Sequence, residues 1–195
     1  MRKSKQKYGP PAKPSHSQVR IIGGSMRGRK ISFLEGEGLR PTLDRIRETV
    51  FNWLATDIAG ANCLDLFAGS GALGFEAISR GANSVELVDC SEKATQSLNK
   101  NLVNLAIVNA QISNLSAGQY LQGNTKQFDI VFLDPPFGKG LLDGVLEQLK
   151  PHLAKNALIY VEQENEKSAF SFGKEWDLLK SKKTSSFIYE LIRLN

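Results

Sequence analysis

The tetrapeptide Asp134-Pro135-Pro136-Phe137 holds residue types suited to fixing an amine while it attacks. The exocyclic amine of a nucleobase is a poor nucleophile, because its lone pair is delocalised into the ring. Asp134 offers an acceptor for one amine hydrogen, and a backbone carbonyl, that of Pro135, offers a second. Two fixed acceptors turn the lone pair toward an electrophilic methyl group and stabilise the charge that develops on nitrogen. The prolines restrict the backbone and hold that carbonyl in place. Phe137 supplies a ring on which a base drawn out of its helix can stack. Asp134 then orients more than it deprotonates, and positioning supplies most of the rate gain. Asp134, Pro135, Pro136 and Phe137 are the expected catalytic residues. The apolar run 128–133 before them reads as a strand, and ligands of open α/β sheets gather at the C-terminal ends of strands.

A second constellation lies upstream, in Leu64-Asp65-Leu66-Phe67-Ala68-Gly69-Ser70-Gly71-Ala72-Leu73-Gly74. Glycines between a strand and a helix let the backbone approach a ligand, and the helix N-terminus offers free N–H groups. Gly69, Gly71 and Gly74 match the dinucleotide spacing, which fits NAD, a flavin or S-adenosylmethionine. Asp89 ends the next strand, 18 residues beyond Gly71, where a carboxylate accepts hydrogen bonds from both hydroxyls of a ribose. NAD and S-adenosylmethionine share that ribose. Asp65, inside the first strand, favours the second, because it can attract the ammonium of a methionyl group. The expected cofactor is S-adenosyl-L-methionine, leaving as S-adenosyl-L-homocysteine. No zinc-type spacing is present.

The elements that must position these residues alternate. Strands are expected at 63–67, 84–88, 108–112, 128–133 and 157–162, and helical segments at 72–79, 92–105, 117–121 and 141–153. Alternation of this kind predicts a parallel sheet with helices on both faces. Segments 176–182 and 186–194 leave no room for a helix between them and predict a closing antiparallel hairpin. The result is an α/β, Rossmann-like architecture of methyltransferase type, with a mainly parallel seven-stranded sheet. Ahead of it, 19–22 and 29–34 read as a small hairpin around Gly23-Gly24-Ser25 and Gly28. Thr42 is a candidate cap for a helix reaching about Thr56, with Leu43, Ile46, Val50, Trp53 and Leu54 on one face. The expected organisation is a flexible basic tail at 1–17, a hairpin and helix facing the substrate at 18–56, and the catalytic domain at 57–195.

Composition narrows the partners. The chain has 195 residues, is 41% hydrophobic and 23% charged, and has no apolar run of membrane-spanning length; a secretory signal is not expected. Cys63 and Cys90 read as buried free thiols of a reducing cytosol. His16 and His152 read as surface residues. Residues 1–47 hold twelve Lys or Arg against three acids, an excess of +9 within a chain of net +5. Such asymmetry fits a polyanionic partner. Arg27, Arg29, Lys30 and Arg40 are the candidates for phosphate contacts.

These residues also form larger blocks. Val19-Arg20-Ile21-Ile22-Gly23-Gly24-Ser25-Met26-Arg27-Gly28-Arg29-Lys30 resembles the opening of the bacterial 16S ribosomal RNA guanine-N2 methyltransferases of the RsmD type. Leu39-Arg40-Pro41-Thr42, with Arg45, Arg47-Glu48-Thr49 and Phe51-Asn52-Trp53-Leu54, resembles their second block. The glycine loop, the 134–137 segment and Ala157-Leu158-Ile159-Tyr160-Val161-Glu162 follow in the family's order, so the resemblance spans residues 18–193. It implies a class I fold. It also implies transfer of one methyl to N2 of one guanine, position 966, in 16S RNA of the assembling small (30S) subunit, in the cytoplasm. Relatives often carry Glu where Asp89 stands. Methyltransferases often place an Asp before the third helix for the adenine amine, whereas residues 113–118 here hold no acid, so Ser116 or its backbone takes that role. The expected cofactor-binding set is Asp65, Phe67, Gly69, Gly71, Asp89 and Ser116. A monomer is expected, although the sequence does not specify oligomeric state.

Three other readings compete. A DNA adenine or cytosine amino-methyltransferase is compatible with Asp134 but lacks an evident target-recognition domain. A nicotinamide oxidoreductase leaves the proline pair unexplained. A non-catalytic RNA-binding assembly factor would keep the basic blocks without the chemistry.

Overall fold

The computed structural model of the chain describes residues 16–34, 44–165 and 172–195. A two-stranded antiparallel hairpin, β1 (His16–Arg20) and β2 (Lys30–Leu34), precedes α1 (Asp44–Trp53). Then follow β3 (Asn62–Asp65), α2 (Ala72–Ser79), β4 (Ser84–Val88), α3 (Glu92–Leu105), β5 (Ala110–Ser113), α4 (Ala117–Gly123), β6 (Phe128–Leu133), α5 (Leu141–Leu149), β7 (Leu153–Glu164), β8 (Trp176–Lys183) and β9 (Phe187–Leu194). The large sheet has the order β5-β4-β3-β6-β7-β9-β8. Its pairs are parallel from β5 to β7, and β9 and β8 close it antiparallel. The chain moves outward from β3 to β5 and then returns to β6 on the other side. Strand order therefore reverses between β3 and β6, where the C-terminal ends splay and ligands bind in this class of sheet.

Alternation along the strands builds two cores. Cys63, Val85, Leu87, Ile130, Phe132 and Tyr160 face the layer of β1, β2, α1, α2 and α3, through Val19, Ile31, Val50, Phe51, Phe75 and Leu98. Leu64, Leu66, Val131, Leu133, Ile159 and Val161 face α4 and α5, through Tyr120, Leu121, Leu142, Val145, Leu146 and Leu149. Helix α3 starts at a Ser91 cap that accepts from Ala94 N, and helix α4 at a Ser116–Gln119 capping box. No helix among the described residues is long and apolar enough to cross a membrane.

The structure differs from the sequence reading at several points. Helix α5 stops at Leu149, and Lys150–His152 form a 3-10 turn containing Pro151, which has no N–H to continue an α-helix. Strand β7 is longer than expected, starting at Leu153 opposite Phe128, with a register shift before Leu158 pairs with Ile130 of β6. The described part of the first helix begins at Asp44, and the proposed cap Thr42 lies outside the described residues. Cys90 is exposed, because β4 ends at Val88 and Cys90 falls in the following loop. Cys63 is buried, and burial pushes its thiol up to about 12. His152 is buried rather than on the surface, with Nδ1 3.2 Å from the carbonyl of Lys126.

Arg47 is the largest surprise among the basic residues. It is fully buried. Its Nη2 donates to the Arg20 carbonyl at 2.8 Å and to Asp44 Oδ1 at 2.6 Å, and its Nη1 stands 3.8 Å from Glu76 Oε2. Glu76, equally buried, accepts from Ile22 N and Gly23 N at 2.8 Å each and from Arg80 Nε at 2.7 Å. Arg80 also lies over the Phe51 ring at 5.0 Å. One carboxylate thus ties the hairpin, α1 and α2 together. Asn101 does the same for β2 and α3, donating to Ser32 O at 2.8 Å and accepting from Ser32 N at 3.0 Å. At Gly24, with φ at +73°, a Cβ would lie 1.8 Å from the Ser79 carbonyl oxygen, so the hairpin docks only through glycine there.

Candidate active site

The site forms where β3 and β6 end. Asp65 is the last residue of β3, 2% exposed, and Oδ2 accepts from Gly74 N at 3.0 Å across the loop. Burial raises its carboxyl to about 7, against the pull of the Gly74 bond, and the charge of Asp89 adds to the rise. Gly71 precedes α2 with φ at +81°. A Cβ there would lie 2.5 Å from the Phe75 ring and 2.6 Å from Leu98, so the loop lies against the core only because this residue is glycine.

Asp89 follows β4 and reaches back to the loop. Its Oδ2 accepts from Gly69 N at 2.8 Å and its Oδ1 from Ser91 N at 2.7 Å. Each carboxylate oxygen keeps a second lone pair for a ligand hydroxyl. The Phe67 side chain packs, half-buried, against the α4–α5 core. Ser116 is exposed, and its hydroxyl serves the α4 capping box, donating to Gln119 Oε1 at 2.8 Å and accepting from Gln119 N at 3.4 Å. Among the described residues, Asp65, Asp89 and Asp134 have no ion-pair partner. Three acids gathered without a protein cation suit a positively charged ligand.

Asp134 directly follows β6. The β6–β7 register, with Phe132 opposite Tyr160 and Leu133 opposite Val161, sets Asp134 abreast of Glu162. The two carboxyl groups are hydrogen-bonded, and Tyr160 Oη donates to Glu162 Oε1 at 2.6 Å. Burial, then the charge of Glu162, holds Asp134 well above the usual carboxylate range, and Asp65 adds to this. Pro135 is buried, and Pro136 is exposed. Phe137 is 40% exposed, with its ring 6.1 Å from Phe187. Phe187 in turn lies 6.1 Å from Tyr189, which stacks on Trp53 of α1 at 5.5 Å. This run of rings joins Phe137 to the closing hairpin and the first helix.

Sequence reasoning did not single out Glu162, Tyr160, Phe187 or Tyr189 as site residues. Glu162 carried a usable signal, an acid at the end of an otherwise apolar strand. The aromatic run carried none, since β9 meets β7 only through long-range pairing.

The structure brings together Asp65, Gly69, Gly71, Asp89 and Asp134, but places the basic candidates elsewhere. Arg27, Arg29 and Lys30 are exposed around the β1–β2 turn. In that turn Ser25 N donates to Ser79 O at 2.7 Å, and Arg29 Nη2 donates to Asn104 O at 3.3 Å. Ser79 and Asn104 stand at the C-terminal ends of α2 and α3, helices that begin at the glycine-loop edge. The turn therefore lies at the opposite edge of the sheet from Asp134. Arg40 lies outside the described residues.

The sequence profile of the family described as Conserved hypothetical protein 95 matches residues 19–193. The ribosomal RNA small subunit methyltransferase D of Escherichia coli (strain K12) is 46% identical over 184 residues, covering 92% of this chain and 93% of that protein. The solved structure of yhhF from Escherichia coli has a TM-score of 0.84 at 45% identity, over 92% of this chain and 99% of that one. SMU.776, solved in complex with SAH, has a TM-score of 0.71 over 96% of this chain and 58% of that one. At 17% identity, this last likeness is one of fold.

Proposed function

The chain belongs to the Conserved hypothetical protein 95 family, the RsmD family, and from that premise we propose that it methylates small-subunit ribosomal RNA with S-adenosylmethionine as donor. The finer reading is transfer to N2 of one guanine of 16S RNA, position 966 by resemblance, in the assembling 30S subunit and in the cytoplasm. The observation that carries it is Asp134, placed at the strand-order reversal beside the glycine loop and three residues before the exposed Phe137. The names of the relatives support the ribosomal substrate.

When bound, S-adenosylmethionine supplies a methyl group on a positively charged sulfonium. The site fits it. Asp65, buried and without a protein cation among the described residues, would hold the ammonium. Gly69 and Gly71 bring backbone close to the methionyl part, and Asp89 would hold the ribose hydroxyls while keeping Gly69 in place. With the Ser116 hydroxyl committed to its cap, backbone near residues 114–116 is the better partner for the adenine. Asp134 and the Pro135 carbonyl would take the two amine hydrogens, and Phe137 would stack on the extruded base. Residues 18–56 would face the RNA outside the reaction centre.

The direct test supplies labelled donor to purified protein with small ribosomal subunits, naked 16S RNA or duplex DNA. Label in RNA alone is expected. Label in DNA would favour the amino-methyltransferase of DNA instead, and binding without label would favour an assembly factor.

Arg27, Arg29, Lys30 and Arg40 remain the proposed phosphate contacts. Given the placement of the first three, their part is to hold RNA away from the reacting base. Replacing Arg27, Arg29 and Lys30 by Gln should weaken RNA binding and flatten its salt dependence by about one unit per lost contact, with kcat at saturating RNA unchanged. Binding measured across a salt series checks this, and an unchanged slope would remove the three from the interface.

A further inference from the structure

Glu162 lies next to Asp134 and takes no part in the scheme above. It is 4% exposed, receives the Tyr160 hydroxyl at 2.6 Å and is hydrogen-bonded to the Asp134 carboxyl. Two carboxyl groups hydrogen-bond to each other only when one carries a proton. The β6–β7 register sets the two acids abreast, and like charges so close do not both ionise without cost.

We propose that Glu162 is a positioning residue that shares a proton with Asp134, tying one Asp134 oxygen down and leaving the other to face the substrate amine. This rests on the reading of Asp134 as the amine acceptor. Tyr160 fixes the far side of Glu162. Among the described residues, Asp65 from β3, which adds negative charge, and the Tyr189 phenol from β9 also face the pair. Helix α1 contributes Trp53, which is uncharged.

The proton count follows from the geometry. Methyl transfer leaves the nitrogen with one positive charge. An N–H bond then breaks, its electron pair stays on nitrogen, and the proton forms an O–H bond with the free Asp134 oxygen. The pair now holds two protons and is neutral, and one passes to solvent to restore the resting state.

Glu162→Gln separates positioning from titration. Its amide N–H can donate to Asp134 and its carbonyl can accept from Tyr160, but it has no proton to lose. Asp134 works ionised and is held above its ordinary value, so the wild-type rate should be low at acid pH and climb as pH rises. In Glu162→Gln that limb should move down toward ordinary carboxylate values, with kcat within about tenfold of wild type and KM unchanged. Glu162→Leu breaks both bonds and should lower kcat by about 100-fold with KM for RNA unchanged. Calorimetry of donor binding in buffers of different ionisation heat gives a readout without turnover: a cation beside the pair should release more protons from wild type than from Glu162→Gln. An unmoved acid limb in Glu162→Gln, or wild-type kcat in Glu162→Leu, would overturn the proposal. Should the Leu variant fail to fold, the Gln pH profile decides alone. Full activity in Asp134→Ala would instead overturn the reading of Asp134.

A separate observation concerns the sheet edge. Lys182 pairs with Tyr189, which pairs with Glu162, so the three share one row, and Lys180 pairs with Leu191, which pairs with Tyr160. Paired residues project from the same face, here the face of Asp134, and Lys182 stands two strands, about 10 Å, from Glu162. Both lysines are exposed and make no ion pair among the described residues. Cations at the other end of the hairpin do have acids, Lys150 with Glu175 and Arg193 with Asp177. We infer that Lys180 and Lys182 form a phosphate-binding edge for the RNA strand flanking the target nucleotide. Changing both to Gln should weaken RNA binding and lower the salt slope by about two units, with kcat at saturating RNA unchanged. An unchanged slope, with more aggregation of the variant, would mean that the lysines only guard the open sheet edge, and would overturn the inference.

Discussion

Asp134→Ala should lower kcat for methyl transfer by about 10²–10³-fold or more while donor binding stays near wild type. The carboxylate is assigned to the amine, whereas Asp65, Asp89 and the glycine loop, tied together by their own hydrogen bonds, are the residues proposed to hold the donor. Removing it takes away the acceptor that turns the lone pair, and takes from Glu162 its neighbouring carboxyl. Asp134→Asn should cost less, about one order of magnitude, because the amide oxygen still accepts but without charge. Equilibrium dialysis of the donor and single-turnover transfer to small-subunit RNA measure the two halves. Loss of donor binding with chemistry retained would reassign Asp134 to the cofactor.

Glu76→Ala should destabilise the fold by about 3–5 kcal/mol, since it strips a fully buried Arg47 of its nearest buried anion. It also leaves the Ile22 and Gly23 amides and Arg80 without their acceptor. For a chain of this length the thermal midpoint should fall by about 10 °C. Replacing Arg47 by Met at the same time should recover part of the loss, because the unpaired charge goes with it. Thermal melts of the single and double variants check both statements. The hairpin should also become more open to proteolysis, since Glu76 and Ser79 are its anchors on α2. A single variant within 1 kcal/mol of wild type would show that the junction is incidental to stability.

What could be read from the sequence was local. The helical segment expected at 92–105 is found there, at Glu92–Leu105. The glycine loop and the 134–137 segment were visible because spacing alone defines them. The two cysteines show the limit of the same logic. Both border apolar runs, yet Cys63 lies inside β3 and Cys90 two residues past the end of β4. Arg47 shows another. A charge within a basic block reads as solvent-facing until its partner is known, and Glu76 is 29 residues away on another helix. The turn of Arg27 and Arg29 could not be assigned to either sheet edge from sequence, because that depends on which helix ends it docks against. Glu162 reached Asp134 only through strand register, which no local pattern encodes.

We propose that this chain adds a methyl group to the exocyclic amine of one guanine in small-subunit ribosomal RNA. Mass-spectrometric mapping of 16S RNA from cells with and without the protein tests it most directly. One N2-methylguanine should be present with the wild-type chain and absent both without it and with Asp134→Ala alone. An identical modification pattern in all three, or a lost methyl on a different atom or base, would contradict it.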